Sequence, residues 1–324
     1  MIKKNIMITI SLILITGLYL TSLNSFAQPT LKSAKVKKNS LPQNNKTIPY
    51  DRYPPVLHSS QWHQPVPLPG RANTAGAEDS PFITPDANQL YLWYTPDPQI
   101  PPEQQILDGV TGIYVSYKQG RVWSQAQRII LQDKGRLALD GCAFVDNNKM
   151  WFCSAREGYT DIHWFSAEFI QGQWQNWQHA DDIMSVANEV GELHIASNGN
   201  ELYFHSSIPG GLGQSDIWIS RKSDGRRMEP ENISAVNSSE REAQPFISQD
   251  GQEMWFTRWH QGSPAIFRSK RNAQQWQEPE LIISQFAGEP TLDREGNIYF
   301  VHHYFRDGRM IESDIYVAYR KHEQ

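Results

Sequence analysis

Residues 245–257 read PFISQDGQEMWFT: a short apolar run, a turn from Gln249 to Glu253, and a second run built on Met254-Trp255-Phe256. Aromatic and β-branched residues on either side suit strands, and the Asp250-Gly251 pair between them tolerates tight-turn geometry. The stretch predicts a β-hairpin. The same unit recurs at Leu90-Tyr91-Leu92, Met150-Trp151-Phe152, Leu202-Tyr203-Phe204 and Ile298-Tyr299-Phe300, and with Trp255 in its place the successive spacings are 60, 52, 52 and 44 residues. Turns rich in Asn, Asp and Gly precede each run (PDANQ from Pro85, DNNK from Asp146, SNGNE from Ser197, REGN from Arg294). A third run follows every hairpin: GIYVS from Gly112, DIHWFS from Asp161, DIWIS from Asp216, AIFRS from Ala265 and DIYVA from Asp314. Outer runs begin at Trp123, Trp174 and Trp276, with a Trp-less counterpart at Arg227-Met228-Glu229-Pro230. Four strands per unit at a period of about 50 residues predict the blades of a β-propeller.

The last unit has no outer strand after Asp314-Ile315-Tyr316, whereas Gln61 to Leu68 (QWHQPVPL) precedes the first hairpin and has the missing form. The expected fold is therefore all-β: a five-bladed propeller of four-stranded antiparallel blades over residues 58–322, its last blade completed by the N-terminal segment. Such closure removes open sheet edges, and a monomer is expected.

The 324 residues include 37 aromatics and 39 % hydrophobic residues, enough for a sizeable core. Lys and Arg number 30 against 35 Asp and Glu, so no basic excess marks a nucleic-acid partner. Lys3 and Lys4, the apolar run Ile6 to Leu20 and the small residues Ser25 and Ala27 predict a signal peptide over residues 1–27, cleaved after Ala27. Its removal takes the formal charge from −5 to −7, since two lysines and no acid are lost. No other stretch is apolar enough to span a membrane. The mature chain is expected in the periplasm or outside the cell, with residues 28–57, rich in Lys, Asn and Pro, as a linker.

PFITPDANQLYLWY from Pro81, PFISQDGQEMWFT from Pro245 and GNELYFHSSIPGGLGQSDIWIS from Gly199 resemble the TolB-type propeller repeat, P-x-x-S-x-D-G-x-x-L-Y-F followed by a Gly-rich turn and D-I-Y. The resemblance extends over all five repeats and implies a propeller, with envelope-associated binding roles common among such proteins. Asn198 stands at the turn Asp of the third repeat, and no second domain accompanies the propeller. Fold alone assigns no activity.

The starts of innermost strands ring one mouth of a propeller's channel, and here they carry Glu78 and Asp79, Asp140, Glu189 and Glu192, Glu242 and Glu289. The ends of the second strands bring Trp93, Arg156, His205, Arg258, Trp259 and His302 to the same mouth. Acids, arginines, imidazoles and aromatics converging on a concavity suit a small-molecule, glycan or envelope-protein ligand, and carboxylates with His also suit a hard divalent cation. His302 and His303 face opposite sides of a strand, so at most one reaches the channel. A second resemblance is to five-bladed glycoside hydrolases of the arabinanase and β-xylosidase clan. It rests on LDGCAFVDNNKMWF from Leu139 and implies Asp79 as base, Asp140 as the orienting acid and Glu192 as proton donor. The sequence leaves binding module and hydrolase both open. Finally, a two-residue turn at Asn147-Asn148 sets Cys142 opposite Cys153 and predicts a cross-strand disulfide in an exported protein.

Overall fold

A computed structural model describes residues 51–180, 191–306 and 308–321. The signal peptide, residues 28–50 of the linker and Glu189 lie outside them. The fold is all-β apart from one short helix, Pro102–Asp108, in the longest connection of the first repeat. The 245–257 hairpin forms as expected: Glu242–Ile247 pairs antiparallel with Glu253–His260, Glu253–His260 with Ser263–Asn272, and Ser263–Asn272 with Glu280–Ser284. The second repeat runs Ala138–Asp146, Lys149–Arg156, His163–Ile170 and Gln173–His179, and the third Leu193–Ile195, Glu201–Ser206, Asp216–Ser223 and Glu231–Asn232. The first (Ala77–Ile83, Gln89–Thr95, Gly112–Gln119, Gln127–Arg128) and fifth (Ala287–Leu292, Ile298–Arg306, Arg309–Ala318) share one sheet, joined by a parallel bridge between Ser313 and Ala77.

Val66 and Pro67 pair with Val317 and Tyr316, so the segment ahead of the first hairpin supplies the outer strand of the fifth repeat. The segment expected as a linker ends in a strand. Val56–Leu57 already adds to the fourth repeat's sheet, opposite Ser284 and Ile283. Asp51 Oδ2 lies 2.9 Å from His302 Nε2, and Tyr53 packs on Phe286.

One aromatic contact recurs between neighbouring repeats. The outer-strand Trp of one repeat meets, edge to face, the central aromatic of the repeat before it. Trp123 meets Tyr299 (6.2 Å between centroids), Trp174 meets Tyr91 (6.3 Å), Trp276 meets Tyr203 (6.1 Å) and Trp62 meets Trp255 (5.5 Å). The third repeat, which lacks the Trp, breaks the series.

A second recurrence positions the centre. The innermost hairpin's register slips between Asp79 and Phe82, Gly141 and Phe144, Ala243 and Phe246, and Gly288 and Thr291. Each slip is a β-bulge, and Ser80, Cys142, Gln244 and Glu289 within them have φ of 45°, 55°, 51° and 57°. L-residues adopt that conformation at a cost of about 1–2 kcal/mol each. Pro81, Pro245 and Pro290 come next and have no N–H to leave unpaired in the broken ladder. By its pairing partners Glu192 holds the same place in the third repeat.

Candidate functional site

The five bulge-position residues, Ser80, Cys142, Glu192, Gln244 and Glu289, line a central space of about 40 Å³. Below them the axis is filled. Phe82 packs on Phe144 (5.2 Å), Phe144 on His194 (4.8 Å) and His194 on Phe246 (4.7 Å), while Thr291 takes the fifth position and accepts the Ile83 N–H. Burial among these rings pushes the His194 pKa down to about 3.

Three carboxylates converge on Ser80. Its N–H donates to Asp79 Oδ1 (3.0 Å) and Glu289 Oε2 (2.7 Å), and its hydroxyl donates to Glu192 Oε1 (2.8 Å). His303 Nε2 stands 3.9 Å from Asp79 Oδ1. One donor atom from each of Asp79, Glu289 and His303 lies within 4.8 Å of the others. Burial, and then the charges of Asp79 and Glu192, hold the Glu289 carboxyl well above the usual range. Burial raises Glu192 too, with the Asp79 charge adding to it. His205 is lowered to about 3, by burial and then by Arg241. Around the space, Gln244 Oε1, His205 Nε2 and His303 Nδ1 are buried and make no hydrogen bond to any described residue. Unsatisfied buried polar atoms cost free energy, and here they sit beside the acids.

Several expected mouth residues do other work. Glu78 accepts hydrogen bonds from Thr74 N (3.0 Å) and Thr74 Oγ1 (2.6 Å), and Glu242 from Ser238 N (3.1 Å) and Ser238 Oγ (2.5 Å). The neighbouring Asn73 brackets the backbone of Ile315, and Asn237 that of Ile217. The repeated Asn-(Thr/Ser)-x-x-x-Glu at 73–78 and 237–242 is therefore a clamp between repeats, and its recurrence was the signal that could have revealed it. Arg156 Nη2 meets Asp140 Oδ1 at 2.7 Å over Phe165, and Arg258 Nε meets Glu242 Oε1 at 2.6 Å over Phe267; the acids and rings correspond, while Arg156 reaches its acid from two residues further along the strand. His302 is turned to Asp51, leaving His303 as the imidazole that reaches Asp79. Trp93 is buried against Gly141, and Trp259 is half-buried with its N–H on the Arg241 carbonyl.

The expected register of the cysteines is corrected. Asp146, Val145 and Phe144 pair with Lys149, Met150 and Trp151, but the bulge then places Gly141, not Cys142, opposite Cys153. Both cysteines are free. Their thiols hydrogen-bond, which with burial raises Cys142 well above the usual thiol range. The long connection of the first repeat is pinned at its end: Asp108 Oδ1 accepts from the Val110 and Thr111 N–H groups, and Arg128 holds the Gly109 and Thr111 carbonyls.

No helix among the described residues is long and apolar enough to cross a membrane. No protein-family model matches the chain, and no curated protein sequence matches it. Solved structures do. An endo-arabinase from Bacteroides thetaiotaomicron is similar at a TM-score of 0.51 and 14 % identity, over 79 % of this chain and 98 % of that one. TolB from Acinetobacter baumannii gives 0.46 and 14 %, over 78 % and 56 %. A xylan β-1,4-xylosidase from Bacillus halodurans gives 0.47 and 12 %, over 74 % and 52 %. Both groups named from the sequence motifs are thus among the similar structures. At such identities the likeness to the arabinase is one of fold: the chain is built as a β-propeller.

Proposed function

We propose that this protein is an exported five-bladed β-propeller, closed by its own N-terminal segment, that acts as a binding module and holds a hard divalent cation at its centre. The observation that carries the reading is the convergence of Asp79, Glu289 and His303 within 4.8 Å, beside the unpartnered Gln244 Oε1. Calcium takes ligands at about 2.3–2.6 Å, so opposed ligands stand about 5 Å apart. The tighter tetrahedral shell of zinc, with bonds of about 2.0–2.2 Å, suits this spread less well. A cation there would offset the mutual repulsion that raises Glu289 and Glu192. The space of about 40 Å³ is far below the roughly 300–1,000 Å³ of small-molecule pockets. Of Asp79, Glu289 and His303, Glu289 alone lines it; it has room for an ion or about one water and none for a sugar ring.

The test is thermal unfolding of the mature chain in EDTA and in 5 mM calcium, with metal analysis of the purified protein. Calcium should raise the Tm by several degrees in the wild type and by much less in Asp79→Asn and Glu289→Gln. Equal Tm values in EDTA and calcium, with no bound metal, would sink the reading.

A second reading, glycoside hydrolysis with Asp79 as base, Asp140 orienting and Glu192 as acid, is favoured by the raised Glu192 carboxyl. A carboxyl raised above its ordinary range keeps its proton to higher pH, the direction a general acid needs. The Asp140–Arg156 pair and the filled axis weigh for the binding module. Turnover of nitrophenyl arabinoside or xyloside, lost at least about 100-fold in Glu192→Gln, would reverse the preference.

We also propose that in the exported protein a thiol–disulfide oxidant accepts two electrons and two protons from Cys142 and Cys153, whose thiols hydrogen-bond, and leaves them joined as a disulfide. Titration of the exported protein, denatured without reductant, should find no thiol; finding two would remove the idea.

A further inference from the structure

The joint between the first and second repeats differs from the joint between the third and fourth. At the third and fourth repeats the joint is sealed by charge: Arg271 forms a two-pronged pair with Glu201 (2.8 and 3.0 Å) and lies 5.2 Å over Trp276. Strand pairing identifies the counterparts. Phe165 faces Phe152 as Phe267 faces Phe256, so Phe169 occupies the place of Arg271. Trp174 pairs with Phe169 as Trp276 pairs with Arg271, and Gln89 stands two residues before Tyr91 as Glu201 stands before Tyr203. An ion pair has become an amide and an aromatic ring. Trp62, Trp123 and Trp276 are buried, but Trp174 is only partly so, and Phe169 and Tyr117 are 40 % and 41 % exposed. A groove of about 860 Å³ opens between the two repeats.

Its lining has one chemical character. Phe169, Trp174, Trp177 and Tyr117 present ring surface, while Gln127 and Gln173 carry side-chain amides with no hydrogen bond to any described residue. Arg128 is committed to the Gly109 and Thr111 carbonyls, and Asp133 is the one acid lining the groove. No cluster of cations waits for a polyanion, and no cluster of acids waits for a basic peptide. Amides donate and accept in the same plane, which matches hydroxyl groups that do both, and aromatic rings match the flat C–H faces of sugar rings. The adjacent edge strand does not invite another strand: its pairing slips between Ser166 and Glu168, and Asn176 sits at φ 53°. Bulges of this kind blunt an edge.

We infer that this open joint is a binding groove for a neutral polysaccharide, separate from the central site, with which it shares no lining residue. The chain meets its ligand along the side of the propeller, with Phe169 and Trp174 as stacking platforms and the glutamines as hydroxyl partners.

Native electrophoresis of the mature chain in gels containing soluble arabinan, xyloglucan, galactomannan or dextran tests this, with tryptophan fluorescence titration for affinity. At least one polysaccharide should retard the protein. The double variant Gln89→Glu/Phe169→Arg rebuilds the ion pair of the third and fourth repeats without emptying the joint, and should weaken binding at least tenfold with its circular dichroism and Tm preserved. Trp174→Ala should weaken binding as well, with a lowered Tm because it also removes the packing on Tyr91. Retardation by none of the four, equal retardation of the double variant, or binding instead to a peptide of residues 28–50 would overturn the assignment.

Discussion

His194 shows what a single residue contributes at the axis. It fills the aromatic position that Phe82, Phe144 and Phe246 fill elsewhere, and burial holds its pKa near about 3. The unfolded chain therefore binds a proton below about pH 6.5 that the folded chain refuses. Stability present above pH 6.5 is lost as pH falls toward 3, by about 1.4 kcal/mol per pH unit for each such histidine. His205, lowered to about 3 as well, adds to this. His194→Phe should flatten the pH dependence of urea unfolding between pH 6.5 and 4; an unchanged slope would show that the ring accepts a proton when folded. The carboxylates teach a related lesson. Their places at strand starts were legible in the sequence, but the direction they point was not. Alternation along a strand fixes the facing of every side chain only while the register holds, and each bulge inserts a residue. Glu78, Asp140 and Glu242 thus turn to Thr74, Arg156 and Ser238 with Arg258, while Ser80 and Gln244, which carry no charge to draw notice, reach the centre.

Among elements, the hairpins were readable because their turns and aromatic runs repeat, and the helix Pro102–Asp108 was not, since it occurs once. The Asn-(Thr/Ser)-x-x-x-Glu clamps hold one repeat to the next through buried polar contacts. Glu242→Ala leaves Arg258 charged and largely buried without its carboxylate, and should cost about 3–5 kcal/mol. Glu240→Ala, on the exposed neighbour, should stay within about 0.5 kcal/mol. Equal losses in denaturant melts would mean that the clamp is ornamental. Trp62, fully buried against Trp255 and under Arg268 and Arg320, ties the N-terminal segment down. Trp62→Ala should lose about 3–5 kcal/mol, readable as a lowered urea midpoint.

At the scale of the whole molecule, the fold concentrates buried acids where the innermost hairpins meet. Glu289 and Glu192 are raised when folded, so their protonated forms stabilise the fold below the ordinary carboxyl range, and that contribution fades as pH rises through the raised values. The cation proposed for this site would take the place of those protons. The Tm gained from calcium should therefore be larger at pH 8 than at pH 5, and a gain independent of pH would place the ion elsewhere.

Near the two ends of the described chain, Val56–Leu57 lies beside Ile283 and Ser284, and Val66 beside Val317. A chain made N-terminus first delivers these strands early, when their partners are still more than two hundred residues behind. The last sheets stay incomplete until nearly all of the described chain is present, so under the proposed export their final assembly would fall on the far side of the membrane. An unfinished chain lacks its closing strands, and the fold carries its own delay.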